Sequence, residues 1–276
     1  MNHPLVNSKW LSQNLEKVTL LHVTMVNPVN GKAGELSDVY IPTSLSFDFE
    51  KKICDLSSPL PHTMPSSQQF TQNVQALGIN SESTVVVYDD VGIFSAPRVW
   101  WMLKSMGHQH VYVLDGGLPA WIDQGFEVTS QLRQPNGGGD FVAAPIPESL
   151  FNAQQVVGSI DIAEHQIIDA RSSARFHGMV AEPREGLRSG HIPNSINLPF
   201  TKLIKEGHFI DYEELNNVFT QHGIDKNKRI ITSCGSGVTA TIILLAADIL
   251  GFNFLSLYDG SWSEWGANKA LPITNC

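Results

Sequence analysis

The sequence predicts an α/β protein made of two tandem copies of one domain, each a mostly parallel sheet with helices on both faces. The first observation is an internal repeat, because MGHQHVYVLDGGLPAW (106–121) aligns without a gap with LGFNFLSLYDGSWSEW (250–265), at an offset of 144 residues. The second is the alternation of short apolar strands with helices of about ten residues, which is typical of parallel sheets covered on both faces.

Two more segments support the repeat. LGINSESTVVVYD (77–89) aligns with HGIDKNKRIITSC (222–234) at an offset of 145, and YIPTSLSFD (40–48) aligns with HIPNSINLP (191–199) at an offset of 151. The changing offset indicates two copies whose loops have drifted in length.

In the second copy, HQIID (165–169) is predicted to be a strand, and HIPNSINLP leads into a second short strand. An amphipathic helix follows over 212–222, and the central strand is RIITS (229–233). Cys234 comes next, then a loop with two glycines, an apolar helix and a strand in FLSLYDG. Ligands of such sheets bind beyond the carboxyl ends of the strands, which is where Cys234 falls.

The domain boundaries follow from composition. We expect an N-terminal domain over 1–134, a linker over 135–147 and a C-terminal domain over 148–276, because three consecutive glycines and three prolines give this region the composition of an exposed linker. The first copy also carries an insertion, DLSSPLPHTMP (55–65). It is either a surface loop or a segment that reaches the other domain's site.

Composition restricts the function classes. The apolar content of 42% is sufficient for large cores, and the net charge of −9 argues against nucleic acid or an anionic membrane as partner. The three widely spaced cysteines suggest neither a disulfide framework nor a zinc site, so we expect a reducing compartment, no metal and no cofactor. Without a signal-like N-terminus or a long apolar run, a cytoplasmic location is expected.

Cys234 is the candidate nucleophile. If the backbone of Gly235, Ser236, Gly237 and Val238 curls around its sulfur, the amides and the start of the next helix favour a thiolate. The alternative is a small buried apolar residue, although two glycines directly after the cysteine argue against it. In the first copy the aligned residue is Asp89 or Asp90, since the register slips by one within VYDDVGIFSAPR. That domain is expected to shape the cleft without reacting.

The motifs CGSGVTA, DGSWSEW, SAPRVWWML and RFHG…EPR…GHIP resemble the tandem-domain rhodanese superfamily, from about Leu20 to Trp265. The resemblance implies a sulfurtransferase that forms a persulfide on Cys234. Members that use thiosulfate carry a basic CRKGVTA-like loop, whereas Gly235 and Ser236 resemble the members that use 3-mercaptopyruvate. The resemblance also places Gly235, Gly237, Val238 and Thr239 at the substrate.

Substrate chemistry supports the same distinction. Thiosulfate is a dianion whose charge lies next to the transferred sulfur, so cations in the loop help to hold it. The carboxylate of mercaptopyruvate is farther from its sulfur, and its cationic partners should stand away from the loop. The resemblance assigns this role to Arg175 and Arg184, whose guanidinium groups suit a carboxylate and a keto oxygen. Without it, both would be taken for solvated surface residues.

Proton transfer is expected to involve a Ser–His–acid relay that the resemblance implies. Its members would be Ser236 in the loop, His62 in the insertion and Glu50 in FDFEKK, with Asp48 as an alternative acid. The glutamate departs from the aspartate usual in the family. Otherwise His62, which lies among prolines, would be an exposed loop residue.

The hypothesis is therefore a ping-pong transfer of sulfur from 3-mercaptopyruvate, through the persulfide, to a thiol such as thioredoxin or a small thiol, or to cyanide, with release of pyruvate. Thiosulfate:cyanide sulfurtransfer and a persulfide carrier with little turnover stay open as alternatives. A cysteine phosphatase is disfavoured because Ala240 stands where its arginine would be needed.

Structural roles are expected for several conspicuous residues. Asp169 and Arg171 should form an ion pair at a strand end, His191 should orient a turn, and Thr239 should hydrogen-bond at the helix start. Trp262 and Trp265 either line the cleft or belong to the core. Cys54 and Cys276 lack a glycine-rich loop and are not expected to be nucleophiles.

Overall fold

A computed structural model describes residues 3–25, 36 and 38–275 of the chain. The chain divides into two compact units. The first unit comprises Met1–Ser57, Met64–Ile146 and Glu206–Phe209, and the second comprises Ser58–Thr63, Pro147–Lys205 and Ile210–Cys276. The insertion predicted from the sequence thus contributes six residues, Ser58–Thr63, to the second unit.

The first half of the chain forms five strands and four helices among its described residues. In chain order they are β1 (Leu5–Val6), α1 (Ser8–Asn14), β2 (Thr19–Val23), β3 (Leu45–Ser46), α2 (Ser67–Ala76), β4 (Val85–Asp89), α3 (Ala96–Ser105), β5 (Val111–Leu114) and α4 (Gly117–Asp123). A short 3-10 helix, Leu15–Lys17, follows α1. The strands form one parallel sheet in the order β1-β5-β4-β2-β3.

The second half repeats this plan. Its elements are β6 (Leu150–Phe151), α5 (Ala153–Ser159), β7 (His165–Asp169), α6 (Ser173–Phe176), β8 (Ile196–Asn197), β9 (Ile204–Lys205), β10 (His208–Phe209), α7 (Tyr212–Gln221), β11 (Arg229–Ser233), α8 (Ala240–Ile249), β12 (Leu255–Tyr258) and α9 (Ser261–Trp265). A 3-10 helix covers Phe200–Leu203. The main sheet is again parallel, in the order β6-β12-β11-β7-β8.

The matching strand orders confirm the predicted repeat and fold class. The four strands and two helices predicted for the second copy are also found, with bounds that differ by one or a few residues. Every residue of the central strand β4 is buried, as are all but the first of β11. Since neighbouring side chains of a strand point to opposite faces, both sheets are covered on both sides, and helices supply the cover.

The predicted linker is not simply exposed. Its later part runs along the first unit, where Gly139 N donates to Gln75 O over 3.1 Å and Ala144 N donates to Met106 O over 2.9 Å. Phe141 is 3% exposed and packs edge-on against Phe70. A single aromatic residue anchors the segment because its burial outweighs the flexibility of the glycines before it. The boundary at 135–147 stays a prediction.

No helix in the described part of the chain is both long and apolar enough to cross a bilayer.

His191 connects the turn before β8 to helix α6. Its Nδ1 lies 2.9 Å from the carbonyl oxygen of Phe176, and its ring stacks on the Phe176 ring at 3.8 Å. The structural role predicted for it is confirmed by these contacts. Burial lowers the pKa of His191, and His177 and Arg171 add to this effect, while the hydrogen bond to Phe176 and the charge of Asp169 oppose it.

This lowered pKa predicts a pH-dependent stability. The folded protein resists protonation of His191 more than the unfolded chain does, so wild type loses stability as pH falls below the ordinary histidine range, between about pH 7 and pH 5. His191→Asn keeps an N–H for the Phe176 carbonyl but does not titrate. Urea unfolding of both proteins at the two pH values should show the smaller loss in the variant. Equal losses would contradict the role of His191.

Candidate active site

The central strand β11 delivers Cys234 to the carboxyl end of the sheet, where the side chain is buried and 2% exposed. The start of α9 holds the backbone around the cysteine. Trp262 N donates to Cys234 O over 3.0 Å, and Ser263 donates to Gly235 O from its amide over 2.9 Å and from its hydroxyl over 2.6 Å. The loop is therefore fixed by hydrogen bonds from residues 28 positions further along the chain.

The Ser261 hydroxyl binds the backbone amide of Cys234. Its hydroxyl accepts a hydrogen bond from Cys234 N over 3.1 Å and donates to Tyr258 O over 2.9 Å. The residue is fully buried and has a φ of +49°, a conformation that is costly for a residue with a β-carbon. The hydroxyl gives the Cys234 amide a partner, so this amide is not aimed at the sulfur.

The corresponding loop of the first unit shows what its backbone binds. Val85 N donates to His110 O and Ile230 N donates to Phe254 O, each over 2.8 Å, so β4 and β11 align at the offset that matches Asp89 with Cys234. The Asp89 carboxylate, 1% exposed, accepts hydrogen bonds of 2.8–3.1 Å from four backbone amides. These belong to Val91, Phe94, Ser95 and Ala96.

The Asp89 carboxyl group is thus held inside the first loop by backbone amides. Burial raises the pKa of the Asp89 carboxyl, and the four amides oppose that rise. The sequence left Asp89 and Asp90 as alternatives at this position, and the strand register selects Asp89. Asp90 instead contacts His22 Nε2 over 2.7 Å. This arrangement supports the prediction that the first domain does not react.

A buried network of charges lies beside the catalytic loop. The Arg171 side chain is fully buried and stacks on Trp262, with its guanidinium carbon 4.0 Å from the ring centre. It contacts Asp169 through Nε at 3.0 Å and Nη2 at 2.6 Å, which confirms the predicted ion pair. Its Nη1 reaches the Glu182 carboxylate over 2.8 Å. The Asp169 and Glu182 charges raise the pKa of Arg171 against the opposing effect of its burial.

Glu182 also binds Arg175. Both carboxylate oxygens accept from Arg175 Nε over 3.2 Å, and Oε2 accepts from Nη2 as well. The Glu182 side chain is 1% exposed, whereas that of Arg175 is 15% exposed. Arg175 comes from α6, so the short helix and the Glu182 carboxylate together set the direction of its guanidinium.

Both predicted substrate arginines face the loop at Gly235. A β-carbon built on Gly235 would lie 3.2 Å from Arg175 Nη2 and 3.8 Å from Arg184 Nη1. The interpretation of these arginines as solvated surface groups is therefore wrong. Arg184 forms no ion pair with a carboxylate of the described residues. Burial lowers the pKa of the Arg184 guanidinium. The charges on Cys234 and Glu182 oppose that lowering, and Arg175 reinforces it.

The loop hydroxyl and the predicted histidine meet. His62 Nδ1 lies 3.1 Å from Ser236 Oγ, and Arg184 Nη2 donates weakly to the same oxygen over 3.4 Å. His62 has a φ of +62°, and such backbone conformations concentrate at functional sites. The alternative of an exposed loop histidine is wrong, since His62 is half-buried and paired.

The acid of the predicted relay lies in the first unit. Glu50 N donates to the Asp48 carboxylate over 3.2 Å, and Lys51 N donates to it over 2.9 Å. The Asp48 carboxylate therefore serves the turn that contains Glu50, which disfavours it as the alternative acid. The role of Glu50 stays a prediction.

Other predicted residues have mixed outcomes. Thr239 precedes α8, and its carbonyl accepts from Ile242 N over 3.2 Å, so it hydrogen-bonds at the helix start as predicted. Its side chain does not cap the helix, whereas the Thr241 hydroxyl donates to Val238 O over 2.6 Å. Gly237 has a φ of +74°, which favours glycine there. The substrate contacts predicted for Gly235, Gly237, Val238 and Thr239 stay predictions.

The side chains of two tryptophans and one further cysteine have structural surroundings. Trp262 and Trp265 are fully buried in the core. Cys54 Sγ donates to Glu50 O over 3.2 Å, and burial, reinforced mainly by Asp48 and Asp55, raises the pKa of its thiol, as suits a structural cysteine. Cys276 lies outside the described residues.

Sequence reasoning missed Glu182, Ser261 and Ser263. Glu182 stands in the EPR motif between the two arginines, and the two serines stand in DGSWSEW, so the motifs contained them. Their roles depend on contacts across the fold, which spacing does not reveal. Within the part of the chain that the structure describes, no group of three His, Cys, Asp or Glu residues could hold a metal ion.

The fold and site define a two-unit α/β protein with one cysteine-centred loop, and comparison with known proteins gives its family. The rhodanese-like domain model matches the chain twice, over residues 9–124 and 152–268. The chain therefore belongs to the rhodanese family and carries two rhodanese-like domains.

Individual relatives match nearly the whole chain. A 3-mercaptopyruvate sulfurtransferase of Escherichia coli (strain K12) is 39% identical over 97% of this chain and 96% of its own length. The rat 3-mercaptopyruvate sulfurtransferase is 35% identical over 95% and 91% of the two chains. The crystal structure of SseA from Escherichia coli, a 3-mercaptopyruvate sulfotransferase, superposes with a TM-score of 0.84 at 36% identity and covers 94% of this chain and 99% of that one.

The geometry around Ser261 predicts that its hydroxyl stabilises the loop. Ser261→Ala leaves the Cys234 amide without its buried partner and keeps the unfavourable φ, so it should cost roughly 1–3 kcal/mol of unfolding free energy in urea titrations. Ser261→Gly removes the same hydroxyl but tolerates the positive φ, so it should be less destabilised. A glycine variant that is less stable than the alanine variant would contradict this account.

Proposed function

We propose that the protein is a sulfurtransferase that moves sulfur from 3-mercaptopyruvate to an acceptor thiol or cyanide through a persulfide on Cys234. The observation that carries the proposal is the position of the two guanidinium groups against Gly235. The loop itself supplies no cationic side chain between Cys234 and Ala240. The positive charge at the site thus comes from a separate segment, as suits a donor whose carboxylate is removed from its sulfur.

The space at Gly235 favours 3-mercaptopyruvate over thiosulfate as the donor. A basic residue in the loop, as in thiosulfate-using relatives, would need a side chain where Arg175 lies. A side chain at position 235 would therefore crowd the Arg175 guanidinium. Arg175 and Arg184 can engage the carboxylate and keto oxygen of mercaptopyruvate by paired hydrogen bonds.

In the first half-reaction, the Cys234 thiolate attacks the donor sulfur and forms the S–S bond. The C–S bond breaks, and its electron pair goes to the carbon fragment, which leaves as the enolate of pyruvate. The arginines stabilise the charge that develops on the keto oxygen, and the loop amides stabilise the anionic sulfur. The enolate then takes a proton at carbon to give pyruvate.

The donor's own thiol proton requires an acceptor. Ser236 Oγ, which lies between His62 and Arg184, is within hydrogen-bond reach of both and can pass that proton to the histidine. In the second half-reaction, an acceptor thiolate or cyanide attacks the outer sulfur. The electron pair of the S–S bond returns to Cys234, and the enzyme is regenerated.

A comparison of donors tests the proposal. Wild type should show a higher kcat/KM with 3-mercaptopyruvate than with thiosulfate, measured with cyanide as the common acceptor. Cys234→Ser should lose turnover with both donors, because a serine hydroxyl forms no persulfide. Equal or greater efficiency with thiosulfate would refute the donor assignment, and unchanged turnover in the serine variant would refute the mechanism.

The space at Gly235 generates a second test. Gly235→Ala places a methyl group 3.2 Å from Arg175 Nη2, so the guanidinium must shift by a few tenths of an ångström. The kcat/KM for 3-mercaptopyruvate should fall roughly tenfold, because misplacement of a binding group is costly to turnover. Gly158→Ala is the matched control, since a β-carbon there meets open space. Turnover of Gly235→Ala within about twofold of the control would contradict the role of this gap.

A further inference from the structure

Glu182 is a buried carboxylate to which the proposed chemistry assigns no step. It lies between the Arg171 and Arg175 guanidinium groups and contacts both. Asp169 occupies the other side of Arg171. These four groups form one connected network in which two carboxylates balance two guanidinium groups.

Arg184 differs from the other two arginines. Among the described residues its side chain hydrogen-bonds to Ser236 Oγ, at 3.4 Å, and no carboxylate lies within ion-pair distance of it. Arg184 is therefore the one guanidinium of these three that no carboxylate of the described residues pairs with. Because the Arg184 guanidinium is partly buried, the lack of a negatively charged partner costs more free energy than it would at the surface.

We propose that Glu182 is a positioning and specificity-determining residue that holds Arg175 against Gly235 and cancels its charge. Arg184 alone then offers a positive charge that no carboxylate balances, so the site prefers a donor with one negative charge to a dianion. This inference rests on the proposed function and deepens it. Mercaptopyruvate carries one negative charge on its carboxylate, and thiosulfate carries two.

Two neighbouring arginines suit a donor with one negative charge because Glu182 already neutralises one of them. Arg175 retains N–H groups for hydrogen bonding to the donor, but its charge is already neutralised by a carboxylate with 1% exposure. Removal of the Glu182 charge would leave a second guanidinium without a carboxylate partner beside Gly235. The interaction with a dianion would then strengthen more than the interaction with a monoanion.

The test measures charge at the site without relying on turnover. Cys234 is alkylated with iodoacetate, which is anionic, and with iodoacetamide, which is neutral, and the rates are followed by mass spectrometry of the Cys234 peptide at low ionic strength. The ratio of the two rates cancels differences in thiolate content. Glu182→Gln should raise the iodoacetate-to-iodoacetamide ratio about tenfold. It should also raise the thiosulfate-to-mercaptopyruvate ratio of kcat/KM, a gain that damage to the fold would not produce.

Glu182→Asp is the matched control, because it keeps the charge and shortens the side chain. Its alkylation ratio should stay within about twofold of wild type, while its kcat/KM for mercaptopyruvate falls because Arg175 is displaced. An unchanged or lower alkylation ratio in folded Glu182→Gln would overturn the proposal, and so would a ratio in Glu182→Asp that rises as far as in Glu182→Gln.

A double variant keeps the proposal testable if Glu182→Gln does not fold. Arg175→Gln alone should lower the iodoacetate-to-iodoacetamide ratio, and Arg175→Gln with Glu182→Gln should restore it to the wild-type value, because the pair carries no net charge. A double variant that stays as low as Arg175→Gln would overturn the inference. Wild type that takes sulfur from neither donor would refute the proposed function, whereas the alkylation ratios would still decide the charge balance.

Discussion

The contact between two guanidinium groups and a glycine without a side chain is the constraint on which the site depends. Gly235 leaves room for Arg175 and Arg184 to approach the backbone next to Cys234, and an added β-carbon would make Arg175 shift by a few tenths of an ångström. Arg175 is also held in place by its hydrogen bonds to Glu182, which Arg171 contacts in turn within a buried network. Loop composition, arginine position and buried carboxylates therefore form one arrangement.

The two copies of the domain use the same loop position in different ways. In the first copy, four amides of the loop close on the Asp89 carboxylate, a negative group supplied by the chain itself. In the second copy the aligned residue is Cys234, and the loop is braced by α9. A loop already filled by its own carboxylate has no place for a substrate anion, which is why we assign the chemistry to the second copy.

The sequence predicted the repeat, the parallel sheets and the position of Cys234, because these follow from alignment and from periods of apolar residues. It also indicated Arg175, Arg184, Ser236 and His62, through resemblance to a family. It did not predict the roles of Glu182 or Ser261, because a buried ion network and a strained cap arise from contacts between distant segments. The burial of Phe141 was not predicted for the same reason, because glycines and prolines dominate the composition of its segment.

We propose that Cys234 carries the transferred sulfur, and the mass of the protein after a donor is added without an acceptor tests this most directly. 3-Mercaptopyruvate should add one sulfur atom to wild type, digestion should locate it on the Cys234 peptide, and a later thiol or cyanide should remove it. A sulfur atom located on Cys54 or Cys276, or pyruvate release with no added sulfur on Cys234, would contradict the account.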